Sequence, residues 1–326
     1  MPSLTLVAIL LVAPIGCAFD SATETALLSN ECTKCGFNDP EIFDIEIDEF
    51  TLDGLENGGI RLLEVRTHTG VTVDLVVHGD RLYSRTQGRL GGVEKQLKVG
   101  AEIDIEVNGV QHLLEVAAVA YLDHWVDPEG DSADDSATAY DLKHVVSEFD
   151  KRNVCPEIEP DPNHDFPPLP SHYMFAFTGD RYDQETGEVT TGSATDGWLT
   201  LTCGDSAPAK LHLTRHTAAG ANNQHYAPRE QREALMRMYR ADFYGNGDSY
   251  TISGQPLRYI DANGWFSDFY SFHDEVDTFE ALWNQDGAVC LDRARLDEPE
   301  GDPIPPCGAD GAQMAMGSAL FASGNP

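Results

Sequence analysis

The sequence has little positive charge. Its 326 residues include 21 Lys and Arg against 55 Asp and Glu, so the formal net charge is −34. A surface this anionic repels phosphate backbones and acidic lipid headgroups, which predicts no nucleic-acid binding and no electrostatic docking on a membrane. Apolar residues still make up 41% of the chain, which is enough for a folded core and excludes wholesale disorder.

Common nucleotide-binding and catalytic motifs are also lacking. The chain has no GxxxxGK[ST] phosphate loop and no GxSxG nucleophile elbow. The run Cys203-Gly-Asp-Ser-Ala-Pro208 is similar to the GDSGGP segment of trypsin-like proteases, but Ala207 and Pro208 replace the glycines that form the oxyanion hole. We interpret this run as a turn after a strand. The sequence therefore predicts no catalytic residue. Because 55 acidic residues offer many candidate pairs, a secreted hydrolase with a carboxylate-based active site stays open as the second hypothesis.

Two closely spaced histidines do not complete a metal-binding pattern. His212 and His216 are four residues apart, but Leu213 stands where a zinc protease needs Glu. The alternation of Leu211 and Leu213 predicts a strand, in which the two histidines would lie about 13 Å apart. The sequence therefore predicts no metal and no cofactor. Calcium at the acidic segments 127–135 or 242–248 is a weaker alternative, since neither matches the EF-hand spacing.

The N-terminus carries an export signal. The apolar run over residues 4–15 is too short for a bilayer span of about 20 residues, and it predicts a secretory signal over residues 1–18. The run Pro14-Ile-Gly-Cys17 resembles a bacterial lipobox, in which Cys17 becomes the lipidated first residue. Ordinary cleavage after Ala18 is the alternative. Either cleavage predicts an extracytoplasmic protein, an outer-membrane lipoprotein or a secreted one, that contacts a membrane only through a lipid on Cys17.

The cysteines support export. Either cleavage removes Cys17 from the seven cysteines, which leaves an even number, as a disulfide framework in an oxidising compartment requires. Their pairing is not determined by the sequence. We interpret the close pair in the lead-in, residues 19–39, as structural and not as a zinc or redox site. The disulfide candidates are Cys32, Cys35, Cys155, Cys203, Cys290 and Cys307.

Residues 40–139 have the pattern of an antiparallel β region. Apolar and acidic residues alternate over 43–47 and over 101–107, which places one face of each strand on a core and the other in water. Asn108-Gly109 separates two such runs and predicts a hairpin turn, because both residues accept positive φ. The acidic residues of 127–140 predict a solvated loop.

The remainder divides into a domain over 140–310 and a mobile tail over 311–326. A proline-rich connector at 155–170 precedes further strands. One helix is predicted from Pro228, with an apolar stripe and an end at Gly245-Asn-Gly247. Two strands, 249–252 and 257–260, are expected next. The helix carries four arginines, which pair with neighbouring carboxylates or, as the alternative, form an anion-binding face; they are Arg229, Arg232, Arg237 and Arg240.

The segment from Met238 to Asp248 resembles the ADYC domain, a family of secreted bacterial proteins named for an Ala-Asp-Tyr-Cys run followed by Gly-x-Gly. Phe243 and Tyr244 replace the Tyr and Cys. Shorter matches place the resemblance over residues 140–310. Cysteine positions of the family are occupied by Leu211, Leu235 and Tyr244, which implies one missing disulfide and no lost active site. The family-motif residues are Ala241, Asp242, Gly245, Gly247 and Asp248.

These observations predict a mainly β, disulfide-stapled protein with antiparallel sheets and one or two short helices. The first hypothesis for its function is a lipid-anchored structural or binding module of the bacterial cell envelope. Ligand and partner are not specified by the sequence.

Overall fold

The computed structural model describes residues 40–43, 45–86, 92–124, 136–155, 172–192, 197–218, 227–251, 257–261, 278–295, 301–308 and 319–325. Over these residues the chain is mainly β, with antiparallel sheets, two helices and two disulfides, which confirms the predicted fold class. The predicted signal, the lead-in with Cys32 and Cys35, and the acidic segment 127–135 lie outside the described residues. Neither helix of the described ranges is long and apolar enough to cross a membrane.

The elements are numbered in chain order. The strands are β1 (Glu41–Ile42), β2 (Ile45–Glu46), β3 (Glu49–Thr51), β4 (Ile60–Arg66), β5 (Thr72–His78), β6 (Arg81–Thr86), β7 (Val93–Gln96), β8 (Glu102–Val107), β9 (Val110–Leu122), β10 (Ala137–Ser147), β11 (Asp150–Asn153), β12 (Met174–Phe177), β13 (Asp180–Tyr182), β14 (Val189–Thr191), β15 (Trp198–Cys203), β16 (Arg258–Asp261), β17 (Thr278–Asn284), β18 (Gly287–Leu291) and β19 (Phe321–Asn325). The helices are α1 (Ala207–Leu213) and α2 (Arg229–Arg240).

One antiparallel sheet of 11 strands dominates the described chain, in the order β3-β15-β12-β10-β9-β8-β4-β5-β6-β7, with β11 paired to β10. Smaller sheets are β1-β2, β13-β14 and β16-β19-β17-β18. The boundary expected between residues 139 and 140 falls inside β10, so the N-terminal β region and the following domain share one sheet.

The central strands are buried on both faces. Side chains alternate across a strand, so in β12 Met174 and Ala176 enter one core, while Phe175 and Phe177 enter the other. The first core lies among β4, β5, β8, β9, β10 and β15. The second lies beneath the two helices. A strand with an apolar layer on each side is a continuous apolar run, which is why β12 shows no alternation in sequence.

Two disulfides tie the ends of strands together. Cys155, just after β11, bonds to Cys203 at the end of β15, with a Cα–Cα distance of 5.5 Å. Cys290 in β18 bonds to Cys307, with a Cα–Cα distance of 4.9 Å. All four cysteines are buried. The structure thus pairs four of the six candidates.

The predicted hairpin at Asn108-Gly109 is confirmed. Val107 of β8 pairs with Val110 of β9, and Asn108 and Gly109 have φ values of 50° and 81°. This turn fixes the register of β8 against β9, and with it the position of every side chain along both strands.

Two expectations about the helices were wrong. Leu211 and Leu213 lie in α1 and not in a strand, because Ser206 caps the helix by accepting the Ala209 N–H, and a proline lies in its first turn. Helix α2 ends before the Gly-Asn-Gly run, since Ala241 already adopts the left-handed conformation with φ 53°.

The tail over residues 311–326 was expected to be mobile, and its described part differs from that expectation. Residues 321–325 form β19 between β16 and β17, and Phe321 and Ala322 are buried. Of the strand expected at 249–252, the described residues 249–251 are not in a strand.

Candidate functional site

The family-motif residues shape the end of helix α2. Asp242 is fully buried and accepts hydrogen bonds from the backbone N–H of Asn246, at 3.1 Å, and of Gly247, at 3.0 Å. The guanidinium of Arg237 also donates to it. Both carboxylate oxygens are therefore used inside the chain, which closes the turn 242–247. In the segment 242–248, where calcium was the weaker alternative, the carboxylate of Asp242 thus accepts hydrogen bonds from the protein itself.

The motif glycines allow two hairpin turns to approach this cap. Gly247 has φ 95°, and a Cβ there would lie 2.6 Å from the carbonyl oxygen of Glu185, in the β13–β14 turn. Gly245 has φ 66°, and a Cβ there would collide with the carbonyl of Asp286, in the β17–β18 turn. Glycine is therefore required at both positions for conformation and for space.

The helix arginines complete this packing. Arg237 donates to the carbonyl of Thr186, and Arg240 donates to the carbonyls of Glu185, at 2.9 Å, and of Gly247. We call Arg237, Arg240 and Asp242 the cap cluster. The hydrogen bonds of its two arginines link α2 to the β13–β14 turn. The expected pairing with a carboxylate is found for Arg237, which pairs with Asp242, and Arg240 donates to backbone oxygens.

The other two arginines of α2 form ion pairs. Arg229 pairs with Glu233, four residues along the helix, at 2.7 Å. Arg232 pairs with Asp180, and each side chain is 1% exposed. The hydroxyl of Tyr182 donates to Asp180 at 3.3 Å. Burial raises the pKa of Asp180, although the charge of Arg232 opposes the rise.

A second buried network has the composition of a catalytic triad. His212 lies with Nδ1 2.9 Å from the hydroxyl of Thr217 and Nε2 3.3 Å from the carboxylate of Asp80. Asp80 also accepts the Thr138 N–H. Burial raises the pKa of Asp80, but the hydrogen bond and charge of His212 outweigh it, so the net pKa is lowered.

Burial decides the role of this triad. His212 and Thr217 are completely buried, and the His212 ring is stacked on Phe177 with centroids 5.1 Å apart. A substrate has no access to a hydroxyl in this position, so the network is part of the packing beneath α1. His216 lies 3.0 Å from the hydroxyl of Thr214, so the two histidines considered from the sequence have different hydrogen-bond partners.

A carboxylate pair lies at the edge strand β3. Burial is the largest factor that raises the pKa of Asp48 to about 6, and the negative charge of Glu46 adds to the rise. Burial likewise raises the pKa of Glu49 to about 7, and the negative charge of Asp48 adds to it. Arg181 donates to both oxygens of Glu49, at 3.1 and 2.9 Å, and lies over the ring of Trp198 at 4.7 Å. Both pKa values are therefore closer to neutral than those of ordinary carboxylates.

A concave feature lies at one end of the large sheet among the residues that the structure describes, and we call it the groove. Its volume is about 380 Å³, within the usual range of ligand sites. Its lining residues are Phe43, Asp104, Gln111, His112, Leu113, His144, Val145 and Val146.

Two histidines meet in the groove. His112 of β9 and His144 of β10 lie on neighbouring strands, with His112 Nδ1 3.1 Å from His144 Nε2. On β9 and β10 the face below them holds Leu114, Val116 and Leu142, all buried in the first core. The apolar face of the sheet thus ends in two imidazoles.

Burial lowers the pKa of both imidazoles, and the charge of His112 adds to the effect on His144. Phe43 covers the pair. Its ring meets His144 edge-on at 5.1 Å, and it lies in the β1–β2 turn with φ 52°, a conformation that is rare for a bulky residue. His144 is buried and His112 is half-buried where they line this open volume beneath an aromatic side chain.

Sequence reasoning missed this groove. The two histidines are 32 residues apart, and only the register of β9 against β10 brings them together. His112 falls near the start of a predicted strand, but no strand is predicted around His144, so the sequence carries a signal for only one of the two.

No curated protein and no solved structure matches the chain. The family model of the ADYC domain matches residues 94–297, which is more than half of the chain and begins before the residue 140 expected from the motifs. The match includes the cap cluster and both groove histidines. Leu211 and Leu235, for which the sequence resemblance predicts cysteine positions of the family, are fully buried in the second core on helices that pack together. On this match, the chain belongs to the ADYC domain family.

Proposed function

We propose that the protein is an exported, non-enzymatic binding module of the bacterial cell envelope, anchored by a lipid on Cys17. The groove is its binding surface. One observation carries the proposal. Asp242 of the family motif accepts hydrogen bonds from within the chain, whereas the groove has polar side chains along an open volume.

The disulfides support the compartment. Disulfides form and persist in oxidising surroundings, and they are rare where thiols are kept reduced. Two are present in the described chain, Cys155–Cys203 and Cys290–Cys307. The lipobox-like run before Cys17 supports the anchor, because it places a small residue, Gly16, directly before the cysteine.

The hydrolase hypothesis takes second place. The observation that favours it is the raised pKa of Asp48 and Glu49, since perturbed carboxylates occur at catalytic sites. However, these carboxylates do not line the groove. Glu49 is held by Arg181, which accounts for it as a structural ion pair.

The anchor is tested by expressing the full chain in a bacterium and fractionating the cells. We expect mass spectrometry of the membrane fraction to find an acylated Cys17 as the first residue. A Cys17→Ser variant should lose the lipid and leave the membrane fraction, whereas the matched Cys32→Ser variant should stay. A free N-terminus at Phe19 would contradict the anchor, and unprocessed protein in the cytoplasm would contradict export.

A further inference from the structure

We propose that His112 and His144 bind one divalent transition-metal ion, such as Cu²⁺, Ni²⁺ or Zn²⁺, at the groove. The inference names a ligand class for the binding surface proposed above and rests on that role. It does not require the lipid anchor.

The spacing of the two nitrogens carries the inference. Imidazole nitrogens bind such ions at about 2.0–2.1 Å. Two nitrogens on one ion at angles between 90° and 109° are therefore about 2.9–3.4 Å apart. His112 Nδ1 and His144 Nε2 are 3.1 Å apart. The pair already has the spacing of two adjacent ligands on a single ion.

Loading the ion needs only a local change. One of the two nitrogens carries the proton of the hydrogen bond that joins the rings. Moving this proton to the other nitrogen of the same ring leaves both facing nitrogens with a lone pair, and no proton is lost overall. Rotation of the rings toward the groove then aims both lone pairs at one point.

The surroundings fit a cation with open coordination positions. Among the residues that the structure describes, no group of three His, Cys, Asp or Glu side chains is placed to hold a metal. Water, or a donor group of a bound molecule, therefore completes the coordination, and the open groove has room for it. The nearby charge of Arg152 is balanced by Asp150, to which it donates at 3.2 and 2.9 Å. The net charge of −34 attracts cations.

Phe43, whose own side chain is more than half exposed, borders the histidine pair. Its edge-on contact with His144 and the approach of the Arg152 guanidinium to within 5.8 Å of its own ring restrict the space into which the imidazoles can turn. A Phe43→Ala variant keeps both ligands and loosens their orientation, so it should bind the ion more weakly than the wild type but more tightly than either histidine variant.

Titration calorimetry of the untagged protein with Cu²⁺ and with Zn²⁺ tests the site. We expect one ion per chain, and a loss of affinity of at least about tenfold in His112→Ala and in His144→Ala. His78→Ala is the matched control, since His78 is an exposed histidine of the same sheet that pairs with Glu94. Its affinity should equal that of the wild type. Electron paramagnetic resonance of the Cu²⁺ form should show two coordinating nitrogens in the wild type and one in each histidine variant.

Binding that is unchanged in both histidine variants, or no uptake by the folded wild type at 100 µM ion, would overturn the inference. Circular dichroism checks that each variant is folded. If His112→Ala is not folded, His112→Asn is measured in its place. If the wild type binds no metal but carries an acylated Cys17, the result counts against this site alone. Loss of the anchor with metal binding intact counts against the anchor alone.

Discussion

The cap cluster and the groove both contain polar side chains, and apart from Phe43 of the groove both lie within the family match. They differ in how those polar side chains are hydrogen-bonded. In the cap cluster, Asp242 accepts two backbone N–H groups and a guanidinium, and Arg240 donates to two backbone carbonyls. In the groove, His112 and His144 contact each other and face an open volume. Polar groups that the fold satisfies stabilise it, whereas groups left facing a cavity are available to a ligand.

The largest expected effect concerns the buried ion pair between Arg232 and Asp180. In Arg232→Met, Asp180 would lose its counter-charge while remaining 1% exposed. A buried carboxylate without its partner costs about 3–5 kcal/mol, so we expect the free energy of unfolding to fall by that amount. Urea denaturation followed by circular dichroism measures it.

The control for this variant is Arg152→Met. Arg152 pairs with Asp150 near the groove, and their side chains are 57% and 42% exposed. Exposed pairs contribute about 0–1 kcal/mol, so this variant should change stability little. Equal losses of stability in the two variants would contradict the expectation that the buried ion pair contributes more to stability than the exposed one.

The next effect tests the motif itself. Asp242→Ala would leave Arg237 and the N–H groups of Asn246 and Gly247 without their acceptor, and we expect a loss of about 2–3 kcal/mol in the free energy of unfolding. Asp248→Ala is the matched control, because Asp248 accepts from the exposed side chain of Asn246. It should cost less than about 0.5 kcal/mol. A stable Asp242→Ala variant with an altered ligand-binding property would instead make the motif functional.

Local chemistry made some of these features predictable. Asn108-Gly109 fixed a hairpin through residues that tolerate positive φ, and alternation identified the strands on either side. Helix α2 was predictable from Pro228 and its apolar stripe. These signals act over a few residues, so they need no knowledge of the tertiary structure.

Features set by distant contacts were not predictable. Alternation at Leu211 and Leu213 is typical of a strand, yet both leucines enter one core from a capped helix. Phe321 and Ala322 gave no strand signal, and β19 forms because β16 and β17 flank it. The groove required the register between β9 and β10. In each case a partner far along the chain determines the structure.

The smallest predicted effect concerns two neighbouring carboxylates, the half-buried Asp48 and the buried Glu49. The pKa of Glu49 is raised to about 7, above the ordinary value of 4.5 that applies to the unfolded chain. Below pH 4.5 both states are protonated. As the pH rises toward 7, the unfolded chain releases this proton while the folded chain retains it, so stability falls. We expect a fall on the order of 1–2 kcal/mol between pH 5 and pH 7.

Glu49→Gln should flatten this dependence, because the amide does not titrate and still accepts from Arg181. Thermal unfolding at a series of pH values measures it. Glu64→Gln is the control, since the hydrogen bond from Thr72 lowers the pKa of Glu64 and so gives it no part in a fall between pH 5 and pH 7. A fall that persists in Glu49→Gln would place the proton on Asp48, whose pKa is raised to about 6 by the same burial. A profile with no fall in the wild type would mean that the ion pair with Arg181 fully offsets the burial of Glu49.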